Sequence, residues 1–122
     1  GYMTVAPVLV AEQLADSNPV KKPAVDFVQR FEGKYGAGTR SLFAATMWDA
    51  LLIVQQAAAQ SLKKAKPGTP EFRSALRDAI EGTKEFVGSQ GVFNMSPADH
   101  NGVDQRSQVM VRIEGGTWKL QH

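Results

Sequence analysis

Residues 42–54 read Leu-Phe-Ala-Ala-Thr-Met-Trp-Asp-Ala-Leu-Leu-Ile-Val, a run that stays apolar on nearly every side when wound into a helix. Such a helix has to be covered by other parts of a protein. It continues to about Ala65, where residues 55–66 become amphipathic, and Pro67-Gly68 stops it. Little else in the chain can do the covering. Residues 3–10 read as a strand, but Pro7 cannot donate to a sheet ladder, so this strand lies at an edge or ends near Ala6. A helix is expected from Pro23, with Ala24, Phe27, Val28, Phe31 and Tyr35 on one face and Gly36 as its cap. Another begins at Thr69-Pro70, with Phe72, Leu76, Ala79 and Ile80 as its buried stripe, and Thr83 to Val87 reads as one more turn after it. Residues 91–95 form a short strand candidate, and 108–113 with 117–120 form a hairpin around Glu114-Gly115-Gly116. One strand followed by three helices lacks the sheet those helices should cover. The pattern is therefore α/β, and it reads as part of something larger.

Several function classes are weakened by composition. Hydrophobic residues are 43% and charged residues 21%, values of a globular chain rather than a disordered one. The run 42–54 is interrupted by Thr46 and Asp49 and reads as too short to cross a bilayer. The opening Gly1-Tyr2-Met3-Thr4 has no basic stretch ahead of an apolar one, so no export signal is read here. The absence of cysteine removes disulfides, thiolate catalysis and thiolate metal sites together. A net charge of +2 from 14 basic and 12 acidic residues is too balanced to suggest nucleic acid. The cluster Lys63, Lys64 and Lys66 sits at a helix end, where it complements the dipole in solvent.

Asp99, His100 and Asp104 form the single acidic and histidine cluster, in a loop rich in turn residues. Without cysteine or His-x-x-x-His spacing they read as turn structure rather than a metal site. No serine has a nucleophile-elbow context, so enzyme chemistry has no visible carrier and no cofactor is implied. Asp49 is the one charge inside the apolar helix. A lone buried carboxylate needs a partner, and Arg40 is a candidate. Thr46 is expected to bond a carbonyl one turn back. Trp48 and Trp118 read as packing residues.

The order of these segments resembles the late part of the branched-chain amino-acid-binding type of periplasmic solute-binding protein. Val5, Ala6 and Pro7 followed by Asn18-Pro19-Val20-Lys21-Lys22-Pro23-Ala24-Val25-Asp26-Phe27-Val28 is similar to a strand, loop and helix of that family. So are Phe43-Ala44-Ala45-Thr46-Met47-Trp48-Asp49-Ala50-Leu51, then Gly91-Val92-Phe93, the turn at 99–102 and the hairpin at 109–118.

The resemblance implies a type I periplasmic-binding-protein fold, two α/β lobes joined by three crossover strands, with ligand held between them. Residues 3–91 would complete the N-terminal lobe, and 92–122 would supply a crossover and a hairpin on the C-terminal lobe. Phe43 would line the side-chain pocket, with Ala44 and Met47 beside it; core packing is the plainer reading of both Phe43 and Met47. The implied role is non-enzymatic and periplasmic: capture of a small amino acid or related carboxylate and delivery to an ABC permease. An aromatic acid is an alternative solute, and a cytoplasmic amide-sensing regulator of the same fold is an alternative role. A small independent interaction domain is the rival outside the family. With its apolar helix uncovered, the isolated chain is expected to self-associate.

Overall fold

The computed structural model describes all residues, Gly1–His122. Strand β1 (Tyr2–Val5) ends where Pro7 begins a 3-10 segment, Pro7–Gln13. The expected strand therefore stops at the proline, as the missing amide requires. Helix α1 (Lys21–Tyr35) starts two residues before Pro23, because a proline is tolerated anywhere in the first turn, where its amide has no carbonyl to meet. Helix α2 (Leu42–Ser61) has Ser41 as its cap, and α3 (Pro70–Glu81) has Thr69. Each cap side chain accepts the amide of the residue three positions on, at 3.1 Å in both cases.

Beyond α3 the expected extra turn is instead a strand. β2 (Phe86–Val87) pairs antiparallel with β3 (Val92–Phe93). The cause is long-range pairing: Met95 N–H donates to Thr83 O and Glu85 N–H to Asn94 Oδ1, both at 2.9 Å. The last elements are β4 (Val109–Glu114) and β5 (Thr117–Leu120), joined through Gly115 and Gly116, whose φ angles of 56° and 75° suit a tight hairpin. The three-stranded sheet has the order β1-β4-β5, all antiparallel.

Two apolar clusters hold these elements. The larger joins Val8 and Ala11 of the 3-10 segment, Val20, the α1 residues Ala24, Phe27 and Val28, Ala45 of α2, and Val92 of β3. Phe27 stacks on Phe31 at 5.3 Å between ring centres and lies 5.9 Å from Trp48. The smaller cluster, Val5, Val10 and Val111, fastens the sheet to the 3-10 segment. The Gln13 side chain adds two bonds to β5, donating to Trp118 O and accepting from Leu120 N–H. Trp118 itself is exposed, so it is not part of this chain's own core.

Helix α2, expected to need cover from partners this chain hardly supplies, is left largely uncovered. Its first half is not mostly buried: Leu42, Phe43, Met47, Leu51 and Val54 are all exposed, and only the stripe Ala45, Asp49, Ile53, Ala57 and Ser61 is enclosed. At 20 residues it is also long and apolar enough to cross a membrane by length and composition, where the run 42–54 alone was read as too short. Packing against α3 and the α1 core covers one side of it.

Candidate functional site

Beside the Ser41 cap, Arg40 anchors the approach to α2. Its guanidinium donates to both Glu12 carboxylate oxygens at 2.7 Å, and to Glu32 at 2.8 and 3.2 Å. One arginine thus ties the 3-10 segment, α1 and the entry to α2 with paired, planar bonds. The Arg40 guanidinium holds the Glu12 and Glu32 carboxyls below the usual carboxylate range, and the two carboxylates hold Arg40 protonated more firmly than usual. Arg40 is therefore not the partner of Asp49.

From this anchored start, Phe43 and Met47 project from the first two turns on one face, four residues apart. Phe43 is 81% exposed and Met47 70%. Within this chain neither side chain is covered. Ala44 is turned away, against the helical core cluster. The structure therefore brings two of the three sequence-derived site residues onto one surface and places the third behind them.

Asp49, two residues beyond Met47 and on the opposite side of the helix, is 1% exposed. Its carboxylate accepts the Ser89 N–H at Oδ1 (2.8 Å) and the Gln90 N–H at Oδ2 (3.1 Å). Burial pushes its pKa up, and the bonds from Ser89 and Gln90 oppose that shift. Thr46 Oγ1 donates to Leu42 O at 2.9 Å, as expected, and accepts from Gln90 Nε2 at 2.9 Å.

Beside this face runs a groove of about 670 Å³ that sequence reasoning did not find. Leu42, Thr46, Ala50 and Ile53 form its helical side; β1, Phe93, the loop around His100 and Asn101, and Trp118 form the other. It is assembled from residues far apart in sequence, so no local signal marks it. Phe43 and Met47 stand outside it, on the neighbouring face of α2.

The acidic and histidine loop divides into separate structural roles. Asp99 Oδ1 accepts the Asn101 and Gly102 amides, both at 3.0 Å. His100 meets Glu81 at 3.0 Å. Asp104 accepts from the Arg106 amide and guanidinium. The three side chains have separate partners, as turn structure requires.

No protein-family model and no curated protein sequence matches the chain. Solved structures do. An extracellular ligand-binding receptor from Rhodopseudomonas palustris is 38% identical over 99% of this chain, with a TM-score of 0.91. A second, from Rhodopseudomonas palustris HaA2, is 36% identical over 99% of the chain, also at 0.91. The fold extends to a type 1 periplasmic binding protein from Bordetella pertussis Tohama I, 20% identical over 98% of the chain, with a TM-score of 0.67. The chain fits a fragment of these extracellular ligand-binding receptors and has the fold of part of a type I periplasmic binding protein. It spans about a third of the length of these structures, 34% of each Rhodopseudomonas receptor.

Proposed function

We infer that the protein carrying this chain is the solute-binding component of an ABC importer, working in the periplasm. Its cleft takes a small amino acid or related carboxylate, closes by hinge motion and presents the solute to a membrane permease. Residues 3–91 complete one lobe; 92–122 supply a crossover and a hairpin on the other. The observation that supports this reading is the exposed pair Phe43 and Met47 on a helix start clamped by Arg40 and Ser41. A large apolar pair held rigidly in solvent is poorly placed for folding and well placed for a ligand. Ala44 supports the pair from behind. An aromatic acid is the second solute class, because the ring of Phe43 offers a flat face to another ring.

The test is calorimetry on the protein at the full length of its relatives, against a panel of amino acids and aromatic acids. Phe43→Ala should cost about 1–3 kcal/mol of binding while shifting unfolding little. Affinity held within about twofold, with a sharp loss of stability, would mark Phe43 as a packing residue instead. Recovery of the protein from the cytoplasmic fraction rather than the periplasm would favour the amide-sensing role.

A further inference from the structure

The one charge inside α2 sits where it meets no cation. Asp49 is buried, its partners are two successive backbone amides, and no basic side chain contributes to its environment. Burying a carboxylate is costly, so its placement has to be explained by what it holds.

What it holds is the turn at 88–91 between β2 and β3, closed by a Gly88 N–H bond to Gly91 O at 2.9 Å. The approach is so close that a Cβ on Gly88 would lie 2.6 Å from Asp49 Oδ2 and 2.9 Å from the Phe93 ring, which only glycine avoids. Gln90 reaches Thr46 on the same helical turn. Immediately after the turn, Val92 enters the core that contains Ala45. An apolar seam alone would hold helix and hairpin together but let them slide. Two oxygens on two successive amides remove both translation and rotation.

We propose that Asp49 is a positioning residue that locks the 88–91 turn to the second turn of α2, so that the Phe43–Met47 face and the segment 92–95 move as one body when solute is captured. The part concerning solute rests on the ligand-wall reading above; the lock itself does not. Asparagine has nearly the same shape, but its Nδ2 donor would face one of the two amides, so it cannot replace both bonds.

Two measurements test this in the full-length protein. Amide exchange at Ser89 and Gln90 should accelerate roughly tenfold or more in Asp49→Asn, with the change spreading into 92–95. Unchanged exchange means there is no lock. Affinity for leucine and for benzoate, the two probes, is then measured at a temperature where every variant is fully folded. Asp49→Asn should weaken binding roughly 3–30-fold although it touches no solute. Combined with Phe43→Ala, it should add no more than about a twofold further loss, because both act through the same face. Affinity retained in Asp49→Asn despite fast exchange makes the residue purely structural and overturns the coupling. Affinity retained in Phe43→Ala sinks the ligand-wall reading alone, and the Asp49 variant is then judged by its own exchange and affinity. If neither probe binds the wild type, the proposed solute class fails, and the spread of exchange into 92–95 decides for or against the coupling.

Discussion

Along α2 the enclosed stripe is Ala45, Asp49, Ile53, Ala57 and Ser61, while Phe43, Met47, Leu51 and Val54 stand in solvent. Three of the five inside residues are small and one is charged; outside, these large apolar residues stand among Thr46, Ala50, Gln55, Gln56, Ala59 and Gln60. Small side chains let neighbouring elements approach the helix axis, and the polar ones are satisfied there: Ser61 Oγ donates to Ala57 O at 2.8 Å, and Asp49 takes its two amides. The difference teaches that residue size and hydrogen bonding, rather than hydrophobicity alone, decide which side of this helix the chain itself covers. The large apolar side is left for something else to meet.

The sharpest way to break that comparison is at Asp49. Asp49→Ala leaves two buried amides unpaired and should cost about 2–4 kcal/mol in urea unfolding. A cost below about 0.5 kcal/mol would place Asp49 among ordinary surface positions. Arg40→Ala comes next. Its pairs with Glu12 and Glu32 remain open to solvent on one side, so a loss of about 1–2 kcal/mol is expected, visible as a lower midpoint.

Substitutions on the exposed side should do the opposite. Leu51→Lys with Val54→Glu should change stability by less than about 0.5 kcal/mol. In the isolated chain they should also shift light scattering toward monomer, on the proposal that the uncovered apolar face joins copies. A monodisperse wild-type monomer at micromolar concentration would show that this face needs no cover.

The smallest effect is the pH dependence. Glu12 and Glu32 have folded pKa values below the usual 4.5, so their contribution is present above that value and is lost as pH falls through the lowered ones. Asp49 has the opposite sign. Its folded pKa lies above the usual 3.8, so stability tied to it rises as pH falls through the raised value toward 3.8. Acid titration of stability should therefore flatten in Arg40→Ala and steepen in Asp49→Asn. The same slope in all three proteins would contradict both assignments.

Much of this architecture was legible in the residues. Pro7 ended β1, Thr69 marked a helix start, Pro67-Gly68 closed the region after α2, and Gly115-Gly116 announced the hairpin. Each is a local rule, a missing amide or a side-chain acceptor, and local rules survive without a tertiary context. The family likeness was legible too, since order and spacing of segments are properties of the sequence. So was the need of Asp49 for a partner, because the cost of a buried carboxylate is set by its chemistry.

The identity of that partner was not. Ser89 and Gln90 lie 40 and 41 positions away, and a backbone amide has no signature in a sequence. Nor could the sequence pair β2 with β3, or separate the two faces of a helix that is apolar all round. Those outcomes depend on which elements reach α2 in space. Only the tertiary structure decided that Arg40 would serve Glu12 and Glu32, that Ala44 would turn to the core, and that Phe43 and Met47 would be left facing solvent, because each follows from contacts between segments that the chain brings together only on folding.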